Sequence, residues 1–206
     1  MEIIQTMVLA VLVAFLGFSP PGMINMTALK LSMEQGRRVA VLFIAGAALV
    51  IFFQSLIAVT FANYLGENPQ VVYMLKHGAI FVFLGLAYFF FRQARSKRPL
   101  KLKESGKQSF WAGVSMSAMN MLAIPFFLGY STLLEAKGVL HLEASMYAVF
   151  ALGASAGSFF LFLVYVWFAA FIQQRVQFIA RNINYILSLL FLLLAISAMW
   201  NTLFSK

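Results

Sequence analysis

The sequence predicts an all-α polytopic membrane protein, with six transmembrane helices arranged as two inverted three-helix repeats. Three observations carry that expectation. The 206 residues are 63% hydrophobic and only 10% charged, whereas a soluble domain is about half apolar and about a quarter charged. The apolar residues gather in six long runs, and runs of about 18 or more read as membrane-spanning helices. The second half of the chain repeats features of the first. The strict alternation of a membrane barrel is absent.

The first run, Ile3–Leu31, follows Glu2 instead of a basic stretch and has no small-residue cleavage site, so it is expected to stay as a helix and not to be removed as a signal. Val39–Tyr64 and Val71–Phe91 complete the first repeat, within residues 1–91. A basic cytoplasmic linker, 92–109, separates them from Phe110–Leu134, Ala144–Ile172 and Ile183–Phe204, the second repeat within 110–206. All of it is read as one transmembrane domain.

Charge sets the expected orientation. The segments after the first, third and fifth runs hold twelve of the fifteen Lys and Arg residues: Lys30, Arg37, Arg38, seven in "RQARSKRPLKLKESGK", Arg175 and Arg181. The other side has only Lys76, Lys137 and Lys206. Basic loops stay cytoplasmic, which places both termini outside. The net charge of +9 therefore points to topology and anionic headgroups as its partners, not to nucleic acid.

Displaced by 107 residues, "GAALVIFFQSLIAVTFA" (46–62) aligns with "GASAGSFFLFLVYVWFA" (153–169), with eight identities in 17 positions. With smaller offsets "SPPGMINM" faces "SMSAMNML", pairing Asn25 with Asn120. An odd number of helices per repeat makes the two units enter the membrane from opposite sides. Inverted repeats of that kind mark secondary transporters, whose sites lie where interrupted helices of the two halves meet.

Both first helices are interruptible. Pro20, Pro21 and Gly22 lie inside the first run, and Asn120 and Pro125 inside the fourth. An interior proline removes a helical hydrogen bond and costs about 3 kcal/mol or more. The backbone groups it frees are tolerated at membrane depth only when buried in protein or lining a cavity. There they suit the carboxylate and ammonium of a zwitterion, the anionic end favouring a half-helix N-terminus. A packing kink is the structural alternative.

"SPPGMINMTALKLSMEQGRRVAVLFIAGAAL" resembles the opening of LysE/RhtB-type translocators, exporters of amino acids and related metabolites, matching at Pro20, Pro21, Gly22, Asn25, Gly36, Arg37, Arg38 and Gly46. "SAMNMLAIPFFLGY" is similar to the family's second-half asparagine–proline segment, and "RNINYILSLLFLLLAISAMW" to its last helix. The resemblance implies export of an amino acid or similar small zwitterion across a bacterial inner membrane, driven by proton exchange, and hence a periplasmic face for the termini. Where the family carries an acidic residue and a histidine in its second helix, this chain has Ile51 and Gln54.

The expected substrate-binding residues are therefore Pro20, Pro21, Gly22, Asn25, Gln54, Asn120 and Pro125. Asn25 and Asn120 either bind substrate or tie helices together. The chain has no cysteine or aspartate, no paired nucleophile and base, and no phosphate-binding glycine loop. Catalysis, a cofactor and direct ATP coupling are not expected. The expected partners are a small amino-acid-like molecule and the lipid bilayer, with a homodimer added by analogy with other small carriers. Export of a cation or metal, or a non-transporting scaffold, are the other readings.

Overall fold

A computed structural model describes residues 2–95, 106–120, 122–140 and 143–204. Among them are eight helices: α1 (Glu2–Gly17), α2 (Met23–Glu34), α3 (Arg37–Glu67), α4 (Pro69–Arg95), α5 (Gly106–Ala118), α6 (Ala123–Ala136), α7 (Ala144–Trp167) and α8 (Ala169–Phe204). The linker residues 96–105 and His141 lie outside the described residues, as does the side chain of His77.

α3 and α7 are long and apolar enough to cross a membrane, as is Asn182–Trp200 within α8. α5 and α6, bent by 60° at their junction, pass together as a fourth candidate. The expected first and fourth runs are each two helices with a break between them. α1 has 16 residues and α2 has 12, each short of the ~20 a crossing needs.

Two boundaries differ from expectation. The fifth run was expected to reach Ile172, with a basic loop before Ile183. Instead α7 ends at Trp167, and the stretch carrying Arg175 and Arg181 is helical backbone within α8. The reason is local: residues 169–182 contain neither glycine nor proline, so nothing in them opposes continuing a helix.

The chain forms two compact units. One comprises Met1–Tyr64 with Lys101–Val176; the other comprises Leu65–Leu100 with Gln177–Lys206. In the second, the rings of Phe90 and Phe191 stack 5.8 Å apart, and the Ser188 hydroxyl donates to the Ala87 carbonyl at 2.9 Å. Large apolar side chains on both units stand more than half exposed, among them Ile4, Phe160, Phe81 and Leu193. That is the surface lipid contact requires.

Inside the first unit the two halves of the sequence interleave. Lipid tails are as apolar as leucine, so helices in a membrane associate through close packing of small residues and interhelical hydrogen bonds. α3 and α5 meet in that way twice over: a Cβ on Gly46 would strike the Phe110 carbonyl, and one on Gly113 would strike the Phe43 carbonyl. α7 meets α1 likewise, with Gly153 against the Met7 carbonyl and Gly157 against that of Val11. Serine hydroxyls fasten the same assembly, Ser109 donating to Val39 O at 2.9 Å, Ser155 to Ala48 O at 2.9 Å and Ser32 to Val166 O at 2.7 Å. At one end the Arg37 guanidinium lies 5.1 Å from the Trp167 ring centroid, a cation–π contact between α3 and α7.

The turns are alike as well. Gly36, after α2, and Gly138, after α6, both have positive φ, at 93° and 66°. Each ends the second half of a broken helix in the left-handed region that other residues rarely enter.

Candidate functional site

Both breaks belong to the first unit, and the residues around them form the candidate site. At the first, α1 stops at Gly17 and α2 begins at Met23. Pro20 is exposed and Pro21 buried. Gly22 holds extended backbone (φ −102°, ψ −176°) and, having no side chain, gives the first turn of α2 no side-chain acceptor.

Three carbonyls around this break are taken by side chains. Buried Asn25 donates through Nδ2 to Phe18 O at 2.7 Å and to Pro20 O at 3.1 Å. The Tyr165 hydroxyl, from α7, donates to Ser19 O at 2.8 Å. The acceptor side of the break is thus closed by protein. Its donor side, the N-terminus of α2, favours an anionic group such as a carboxylate.

The second break lies between Ala118 and Ala123. Asn120 Oδ1 accepts from the Leu122 N–H at 3.3 Å, a local turn that interrupts the helix without glycine or proline. Gln54 reaches in from α3 and donates through Nε2 to Ser117 O at 3.1 Å and Asn120 O at 3.5 Å. Gln54 Oε1 and Ser117 Oγ are buried with no hydrogen-bond partner among the described residues.

The two breaks meet through aromatic rings. Phe18, in the first, packs against Phe126 and Phe127, just after the second, at centroid distances of 6.2 and 6.0 Å. Phe162 of α7 adds a third ring at 5.8 Å. The Phe126 ring covers Gly17, where a Cβ would overlap it.

The structure therefore gathers Pro20, Pro21, Gly22 and Asn25 at one break, and Gln54 and Asn120 at the other. Pro125 belongs to neither. It is exposed in the first turn of α6, where a missing N–H leaves no bond unmade. Pro125→Ala is accordingly expected to change the unfolding midpoint by no more than the equivalent of about 0.5 kcal/mol, read by thermal denaturation in detergent.

The two asparagines also do different work. One holds carbonyls from inside a helix; the other makes the turn itself. Superposing the breaks displaces the chain by 100 residues, which sets Asn120 against Pro20 and Pro125 against Asn25.

Tyr165 and Ser117 complete the arrangement. Tyr165 had a sequence signal: a hydroxyl within an apolar stretch of helix, here FFLFLVYVW, must find an acceptor. Which acceptor it finds, 146 residues away, only folding decides.

Among the described residues, the buried side chains with polar groups are Thr, Asn, Gln, Ser and Tyr165, with no carboxylate or imidazole, and no three His, Cys, Asp or Glu side chains gather as metal ligands would. The arrangement offers neutral hydrogen-bond donors and acceptors, backbone groups and aromatic faces.

The family model of the LysE type translocators matches residues 11–202, nearly the whole chain and both breaks. No curated protein and no solved structure matches it. With its apolar helices and its two helix breaks, the chain is a membrane transporter that belongs to the LysE type translocator family.

Proposed function

We propose that the protein is a secondary carrier that exports an amino acid or a similar small zwitterionic metabolite across a bacterial inner membrane. The observation that carries this reading is the pair of breaks, α1/α2 and α5/α6, brought together in one unit by Phe18 and the rings of Phe126 and Phe127. Each pair crosses the membrane as one broken span and α4 crosses as another, which with α3, α7 and α8 gives six spans in all with both termini periplasmic.

The exchanged packing supports an inverted repeat. α3, from the first half, holds the second-half break through Gln54; α7, from the second half, holds the first-half break through Tyr165. Movement of one three-helix repeat against the other would then open the breaks to alternate faces. The aromatic rings between the breaks are the barrier such a motion must part. A neutral polar lining matches a net-neutral zwitterion, whose charges are compensated within the molecule, better than a bare cation. Proton exchange is the drive that family membership implies.

The test is efflux from cells loaded with labelled neutral amino acids, comparing cells that express the protein with cells that do not. Faster efflux of at least one of them is expected, and slower efflux when a protonophore removes the proton gradient. Export of a divalent cation with no amino acid moved would sink the reading in favour of a cation carrier.

A further inference from the structure

The two breaks are finished differently. At the first, the carbonyls of Phe18, Ser19 and Pro20 have side-chain donors from Asn25 and Tyr165. At the second, Gln54 Oε1 and Ser117 Oγ are buried and unpartnered. Gln54 is 7% exposed and Ser117 0%, so bulk water does not reach them.

Rotating the Gln54 amide cannot cure this. Both groups facing its other terminus, Ser117 O and Asn120 O, are acceptors, so that terminus must be the NH₂ and the carbonyl oxygen must face away. A buried acceptor left unpaired is costly, and native proteins rarely leave two on one contacting pair of residues, as Gln54 and Ser117 are here. Ser117 supplies the carbonyl that Gln54 holds and also the second orphan atom. The break is therefore held by one end of an amide whose other end is spare.

We propose that Gln54 Oε1 and Ser117 Oγ receive the ammonium group of the exported molecule. The proposal rests on the carrier reading and adds to it the half-site and the chemical group bound there. An amide oxygen and a hydroxyl oxygen accept N–H donors without bringing a net charge. They therefore suit an ammonium whose countercharge travels with it, as in a zwitterion. An N-acylated amine loses the charge and all but one of its N–H donors. A serine hydroxyl with no other partner contributes to binding without contributing to the fold, because the bonds that hold the break use the Ser117 backbone and the Gln54 NH₂.

The full-length protein in detergent provides the test. Its thermal unfolding midpoint is measured against glycine, L-leucine, L-threonine and L-methionine and their N-acetyl derivatives, for the wild type and Ser117→Ala. Export of the same compounds is measured in proteoliposomes. At least one free amino acid is expected to stabilise the wild type, and its N-acetyl derivative is not. Ser117→Ala should unfold at the same temperature or higher without ligand, since it deletes an unpaired polar atom, yet bind about tenfold or more weakly. Equal affinity in Ser117→Ala, or equal binding of the N-acetyl derivative, overturns the assignment, including the case in which the two atoms only house a structural water. Binding without export overturns the carrier reading and leaves the Ser117→Ala comparison to decide this one. A wild type that binds none of the four overturns both.

Discussion

Gly113→Leu is expected to leave almost no monodisperse protein after detergent extraction. Even a Cβ at Gly113 would strike the Phe43 carbonyl and come within 3.1 Å of the Ala47 nitrogen. Backbone atoms cannot rotate aside as a side chain can, so the two helix axes must separate. The reciprocal contact, Gly46 against the Phe110 carbonyl, opens with them, as does the hold of Gln54 on Ser117 O. Overpacking of this kind costs about 3 kcal/mol or more, a large share of a typical folding free energy of about 5–15 kcal/mol. Gly129→Ala is the control. A Cβ there meets nothing within 4 Å, so the alanine should be neutral or stabilise α6 by up to about 1 kcal/mol through its better helix propensity. Size-exclusion profiles and unfolding midpoints of both variants check the contrast.

Asn25→Ala is expected to be the most damaging single change at the first break. It strips the donor from Phe18 O and Pro20 O together. A hydrogen bond between membrane helices is worth only ~0.6 kcal/mol on average, because the separated helices find other partners. Here the carbonyls belong to a break that proline keeps open, so a continuous helix cannot reclaim them. Two orphaned carbonyls place the expected loss at about 2–4 kcal/mol. Asn25→Asp tests the cause: it keeps the size and puts an acceptor where the donor stood, so it should do no better than alanine. Tyr165→Phe, which frees only the carbonyl of exposed Ser19, should cost about 1 kcal/mol. The double variant should be non-additive, since both side chains hold the same break. Unfolding midpoints measure each loss.

The first break was legible because Pro20–Pro21–Gly22 forbids a continuous helix from within those residues alone. The second was legible only in outline. Pro125 signalled an interruption, yet a proline sits comfortably in a first turn, so the interruption falls upstream of it, where Asn120 turns the chain. Pairing Asn25 with Asn120 by local identity put two asparagines in one role, whereas their hydrogen bonds give them two. The end of α7 and the start of α8 were misplaced because a cluster of basic residues reads as a loop, although nothing in it opposes a helix.

What this sequence determined by itself was the solvent it folds in, the number of long apolar runs and the need for broken helices. Each follows from properties that residues carry wherever they are: hydropathy, a fixed φ, a missing N–H. What only the tertiary structure decided was who holds the breaks. Tyr165 closes a carbonyl 146 residues away and Gln54 one 63 residues away, and two polar atoms remain over at the second break. Partners at such separations are set by which helices can approach closely enough, and here glycine facing a carbonyl sets that approach.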